Sequence, residues 1–409
     1  MACFKRYAAH VCSSVQDGFT LALWCAPPAE ETTLRRYREI AACGFNTVIV
    51  WWNDLTLNRK TMDLCQDLGM KAWISDFRLW TAPSAPAGRF GQNINELISD
   101  NAGHPGLGGY YLYHAPNAAL FPRLATLNQY LLQKDPGRVP FINLPPVYAG
   151  KKALGLAGYD RYLTEYIRKV KPALLCWGHF PFLRNRVRPD YFTNLELVRR
   201  HSLTAGLPFM PTILATTHVP YRDPSEAELR WQVYTSLCYG AKGIGYFTYW
   251  TPGPSSRRFR HGLIDPEGQR TDKYNQVQRI NRRLQVMAPV LSRLCSLGVY
   301  HTAPLPCGTR AVGKDAPIKA IRKGALVVGW FQEPWSYPRR EYYLFVVNRS
   351  WRRSAEAIIE LKCPLRAVRE IAPPSDSSGR EARPCRIAGE QLFMPLEAGE
   401  GRLVKTVYR

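Results

Sequence analysis

The chain has 409 residues, 46% of them hydrophobic and 21% charged, a length that excludes a single ordinary domain and suits one barrel-sized unit with a smaller module. Lys and Arg number 55 against 32 Asp and Glu, a formal charge of +23, which favours polyanions such as nucleic acid, anionic lipid or acidic glycans as partners, with a solvated basic surface as the plainer reading. No run of about 18 apolar residues occurs, so no membrane span is expected.

The 11 cysteines include no CxxC pair and read as reduced core thiols, which favours an intracellular setting. The first segment, 1–18, has no apolar run of signal-peptide length. An organelle-import reading stays open, because Met1 to Val15 contains Lys5, Arg6 and Ser13 but no acid.

From Phe19 onward, short apolar runs alternate with helical patterns. Strand one is read at Phe19–Cys25, with a helix from Thr32 to Ala42. Strand two follows at Thr47–Trp52, with a helix over Arg59–Leu68, and strand three at Lys71–Ser75, with a helix over Asn93–Asn101. Strand four is Gly109–Tyr113 and its helix Phe121–Gln133. Strand five is Val139–Asn143 and its helix Tyr159–Val170. Strand six is Ala173–Trp177 and its helix Tyr191–Ala205. Strand seven, Pro208–Leu214, precedes a helix over Ser225–Tyr239. Strand eight, Gly243–Trp250, precedes one over Thr271–Cys295.

Strict alternation of this length is the count for a closed (β/α)8 TIM barrel. A doubly wound sheet is disfavoured, since no Gly-rich phosphate turn follows strand one. After Tyr300 the pattern becomes short strands separated by Pro- and Gly-containing turns, from Ala325–Phe331 to Arg402–Val407. That reads as a small antiparallel β-sandwich. The expected organisation is an N-terminal segment 1–18, a barrel 19–299 and a sandwich 300–409.

Barrel chemistry sits where strands end. Those ends hold Trp24, Trp51, Trp52, Asn143, Trp177, His179, Tyr249 and Trp250. Indole faces stack on the C–H faces of sugar rings and amides take hydroxyls, so these are the candidate glycan-binding residues, with barrel-mouth packing as their other use. Glycoside hydrolysis needs two carboxyl groups flanking the scissile bond. Asp54 and Asp76, after strands two and three, are the rim candidates. Their plainer reading is as helix caps.

At this point the sequence resembles a family of bacterial barrel glycosidases of the large retaining-glycosidase clan, over nearly the whole chain. The resemblance is carried by Gly108-Gly109-Tyr110-Tyr111-Leu112, Phe141-Ile142-Asn143-Leu144-Pro145-Pro146 and Tyr246-Phe247-Thr248-Tyr249-Trp250, and in the sandwich by Val346-Val347-Asn348-Arg349. It implies an Asp-Glu-Pro at the end of strand four, with the Glu as general acid, where this chain has His114-Ala115-Pro116. It also implies an Asp at the end of strand six, where this chain has Gly178. Losing a general acid forfeits about 10²–10⁴-fold in rate, so the resemblance implies a scaffold whose hydrolysis is abandoned.

Three functions compete: a degenerate barrel that binds a glycan or another partner, an active hydrolase using Asp54, Asp76 or a loop acid such as Asp265 or Glu267, and a structural subunit of an anionic assembly such as a ribonucleoprotein. For anions the candidates are Arg184 and Arg186 after strand six and Arg257 and Arg258 after strand eight, whose planar forks suit phosphate or sulfate. His114, His179, His218 and His261 lack the HxH or HExxH spacing of a zinc site, so neither a metal nor a cofactor is expected.

Overall fold

A computed structural model describes residues 18–50, 54–82, 87–253, 259–314, 316–334, 341–372 and 384–408. Eight parallel strands close into a barrel in the order of the chain. They are β1 (Thr20–Leu23), β2 (Thr47–Ile49), β3 (Lys71–Ile74), β4 (Leu107–His114), β5 (Val139–Leu144), β6 (Leu175–Gly178), β7 (Phe209–Leu214) and β8 (Gly243–Phe247). The barrel closes through β8, which pairs with β1 from Thr20↔Gly243 to Leu23↔Tyr246.

The main helices are α1 (Leu34–Ala42), α2 (Leu55–Asp67), α3 (Phe77–Thr81), α4 (Ala87–Asn101) and α5 (Phe121–Lys134), followed by α6 (Lys151–Leu154), α7 (Tyr159–Val170), α8 (Tyr191–Ala205), α9 (Glu226–Cys238) and α10 (Asp272–Leu291). Side chains on each strand alternate between the barrel interior and the helical layer. The interior is filled by Ala22, Trp24, Trp73, Tyr111, Phe141 and Met210, among others. It is therefore a packed core rather than a pore.

The sandwich is present, and its first strand begins earlier than the sequence pattern indicates. β9 (Cys295–His301) starts in what the periodicity reads as the end of helix eight; Pro289 lies in the last turns of α10, which stops at Leu291. The other strands are β10 (Ile318–Lys323), β11 (Leu326–Gln332), β12 (Glu341–Asn348), β13 (Ala355–Leu361), β14 (Leu365–Glu370), β15 (Arg386–Ala388), β16 (Gln391–Leu396) and β17 (Gly401–Tyr408). They form two antiparallel sheets, β9-β11-β12-β17-β14 and β10-β13-β16-β15.

α9 joins the two modules. It is opened by a full capping box between Ser225 and Glu228, and Leu229 and Trp231 through Cys238 are all buried. The reason is that the helix lies between β7 on one side and β11, β12 and β17 on the other. Gly399, at φ +68, brings the sandwich backbone so close that a Cβ there would lie 2.1 Å from the Ala227 carbonyl oxygen, an approach only glycine allows.

Candidate functional site

The carboxyl-terminal strand ends face one side of the barrel, and the structure shows what each of them contributes. Asp76 caps α3 by accepting from the Arg78 backbone N–H at 2.8 Å. It also binds the Arg78 guanidinium through both carboxylate oxygens, at 3.0 and 2.9 Å. Only 3% exposed, it is a buried, fully partnered anion rather than an open acid. Asp54 is exposed and caps α2, accepting from the Leu57 N–H at 2.9 Å. Both candidate catalytic carboxylates are thus engaged in starting helices, as short acidic side chains commonly are.

β4 ends at His114. Its Nδ1 lies 3.1 Å from the Tyr111 hydroxyl and 3.3 Å from the Asn143 amide nitrogen. The surrounding rim desolvates the imidazole and lowers its pKa from the ordinary 6.5, although part of its surface is open to solvent. Ala115 follows, exposed and in the left-handed region at φ +48, a conformation that costs an L-residue roughly 1–2 kcal/mol. Its N–H donates to the Asn143 carbonyl at 2.7 Å, which fixes the turn. Asn143 is itself buried, and its Oδ1 has no hydrogen-bond partner among the described residues.

At the end of β6, Gly178 is half-buried, and a Cβ there would meet only the Phe180 ring at 3.7 Å and the Thr212 Cβ at 3.9 Å. The position has room for a side chain and lacks one. The ends of β7 and β8 run into Ala215-Thr216 and Thr248. No strand end from β4 to β8 carries a carboxylate.

The aromatic candidates divide by strand parity. Trp24 points into the barrel, 3% exposed, with its Nε1–H donating to Thr212 Oγ1 at 3.1 Å and its ring edge-on to Tyr111. Trp177 faces the helical layer against Phe209. Tyr249 is fully buried, and Trp250 lies beneath the Arg36 guanidinium, 5.1 Å from its ring centroid. His179 is buried against Asn194, its Nδ1 at 3.0 Å, with Asp190 at 3.6 Å from Nε2. Burial lowers its pKa to about 4, so it is neutral. These five residues are buried and serve as packing, the other use open to them. Trp51, Trp52, Arg257 and Arg258 lie outside the described residues.

The aromatic surface that does reach solvent comes from residues the strand-end reading passes over. Trp80 in α3 is 36% exposed, hydrogen-bonded through Nε1 to Ser75 and stacked 5.9 Å from Tyr113. Across the mouth, His218 stacks on Phe259 at 4.4 Å and Phe180 on Phe247 at 6.0 Å, all four half-buried. A two-residue ladder of Thr217–His218 with Phe259–Arg260 clasps the loops after β7 and β8. No periodicity singles out Trp80, which stands beyond the end of β3 on a helix of five residues.

A cavity of about 380 Å³ opens at the opposite, amino-terminal end of the barrel, among Phe19, Asn46, Lys71, Val139, Pro208 and Lys242. That end conventionally serves stability rather than chemistry, and both lysines there already donate to backbone carbonyls. No group of three or more His, Cys, Asp or Glu is placed to hold a metal among the described residues, and no helix there is long and apolar enough to cross a membrane.

No protein-family model matches the chain, and no curated protein matches it by sequence. Solved structures do match. Gan42B, a GH42 β-galactosidase from G. stearothermophilus, aligns in a catalytic-mutant form over 97% of this chain and 99% of its own, with a TM-score of 0.62 at 10% identity. The fold is that of a glycoside-hydrolase-like (β/α)8 barrel. A β-galactosidase from Bacillus circulans sp. alkalophilus gives the same TM-score, 0.62, at 10% identity over 95% and 99% of the two chains. Against the Halorubrum lacusprofundi β-galactosidase the match covers 65% of this chain and only 58% of that one, at TM-score 0.51 and 10% identity. The chain thus spans less than two thirds of some larger neighbours, and at 10% identity the likeness establishes architecture alone.

Proposed function

We propose that this glycoside-hydrolase-like barrel has given up hydrolysis and uses its mouth to bind a glycan. The observation that carries this reading is Ala115 at the end of β4, exposed where the resembled family places its acid, with no carboxylate at any strand end from β4 to β8. Asp54 and Asp76 do not replace the pair, because each is committed to a helix start and Asp76 also to Arg78. The β-galactosidase architecture and the partly exposed Trp80, Tyr113 and Phe259 support a sugar as the ligand.

The test is turnover of a panel of aryl glycosides and natural glycans by the full chain, beside its Asp54→Asn and Asp76→Asn variants. The expected result is no hydrolysis above the buffer rate in any of them. Hydrolysis by the wild type that either variant abolishes would establish the relocated-carboxylate alternative and end this proposal.

A further inference from the structure

The two halves of the mouth carry opposite charge. The segments after β1 to β4 (24–33, 50–54, 75–86 and 115–120) contain four acidic residues and one arginine. The described residues of the segments after β5 to β8 (145–158, 179–190, 215–225, 248–253 and 259–271) contain eight Lys and Arg against four acids. We infer that the mouth selects an acidic glycan, one bearing uronate or sulfate groups, seated with those groups against the β5–β8 side. This rests on the glycan-binding reading above and names its ligand class.

Two of the four acids on the basic side are already engaged: Asp223 pairs with Lys273 and with His261, and Asp265 accepts from the Gln269 N–H of its own turn. Lys151, Lys152, Arg184, Arg186 and Arg260 are all exposed, and no ion pair among the described residues engages them. Charge without an internal partner is available to a ligand.

The backbone beneath the three arginines is also held in place. The loop after β6 is pinned by the bridges Phe182↔Val187 and Leu183↔Tyr221. The Arg222 N–H donates to the Phe182 carbonyl at 3.1 Å, and the Arg188 guanidinium sits 3.7 Å from the Tyr148 ring centroid. Arg184 and Arg186 project from the turn of this pinned loop. Arg260 is set by its pairing with Thr217 and by Thr216 Oγ1, which donates to its carbonyl at 2.7 Å. With the backbone that carries these forks fixed in advance, little chain freedom is lost on binding a carboxylate or sulfate. Phe180, His218, Phe247 and Phe259 lie among the same loops and offer apolar ring edges to sugar C–H groups.

A nucleic acid fits this mouth less well. It carries a charge on every residue, so a strand crossing the mouth would meet exposed Glu30 and Asp54 on the far side. A glycan with acid groups on some of its sugars can place those on the basic half and its hydroxyls on the other.

The experiment is titration calorimetry of the full chain with oligogalacturonate, its methyl ester, a heparin-derived oligosaccharide, a neutral galacto-oligosaccharide and oligouridylate, at low and high salt. Expected are binding of at least one acidic glycan that salt weakens, no binding of the methyl ester, and a loss of roughly tenfold or more in each of Arg184→Ala/Arg186→Ala and Lys151→Ala/Lys152→Ala, whose melting temperatures stay at the wild-type value. Equal binding of the methyl ester or of the neutral oligosaccharide sinks the acid selectivity and leaves the glycan reading standing. Failure of every glycan sinks both. Tighter binding of oligouridylate makes the surface a nucleic-acid site, and indifference to both double variants places the ligand elsewhere.

Discussion

The barrel mouth and the seam between barrel and sandwich are built from the same residue types and use them in opposite ways. At the seam the large groups are answered. The Trp231 Nε1–H donates to the Arg349 carbonyl at 2.9 Å, the Arg230 guanidinium to the Ala398 carbonyl at 3.0 Å, and Arg283 meets Glu400 at 2.8 Å. Trp231 is packed by Phe182 and Trp351, with ring centroids at 5.3 and 5.7 Å. At the mouth, Arg184 and Arg186 stand exposed and Trp80 keeps part of its face in solvent. Where arginine and tryptophan are satisfied from within, they hold the fold together. Where they keep surface in solvent, that surface is what the proposed ligand would meet.

That contrast can be broken most easily at the seam. Trp231→Ala should cost about 3–5 kcal/mol, the loss typical of a fully buried aromatic, read as the midpoint of urea unfolding; a midpoint near the wild-type value would mean the seam contributes little. Asp76→Ala should cost about 2–4 kcal/mol, combining a lost cap with a buried arginine left short of charge. A stability loss without any catalytic phenotype is the outcome that separates capping from chemistry at this residue.

Acid sharpens the comparison next. His179 beneath the mouth and His301 at the seam are both neutral when folded, with pKa values lowered by burial from 6.5 to about 4 and about 3. His301 is further lowered by Arg349. The unfolded chain takes up protons near pH 6.5 that the folded one refuses, so each histidine removes stability as pH falls from 6.5 toward those values. The slope is at most about 1.4 kcal/mol per pH unit per histidine. Unfolding free energies at pH 7, 5.5 and 4.5 should fall less steeply in His301→Gln and His179→Gln than in the wild type, and parallel curves would refute the assignment. The smallest effect belongs to Arg184→Ala/Arg186→Ala, whose stability should stay within about 0.5 kcal/mol of wild type, since neither side chain has an ion-pair partner to lose among the described residues.

The architecture is largely legible in the sequence because it is written in periodicity. The helices at Tyr159–Val170 and Tyr191–Ala205 appear where their patterns place them. β9 escapes such a reading because Cys295-Ser296-Leu297 continues the apolar spacing of the helix before it, and a short apolar run does not distinguish strand from helix. β10 and β15 escape it because Lys319, Arg322 and Arg386 interrupt any hydrophobic run.

The candidate site is less legible. A strand end is easy to find, but whether its last side chain enters the mouth or the helical layer depends on parity, and one residue reverses the answer. Trp177 and Gly178 are neighbours with opposite fates for that reason. The capping roles of Asp54 and Asp76 are foreseeable from composition. The ion pair of Asp76 with Arg78 depends on a side-chain direction that spacing does not specify.

The enclosure of α9 has a consequence for how the molecule comes apart. Since one helix supplies a wall to both cores, neither module can lose its structure without stripping the other's, and the two should melt in a single calorimetric transition. A chain cut before Cys295 would expose the whole outer face of that helix to water. In thermodynamic terms the barrel and the sandwich are one domain with two shapes.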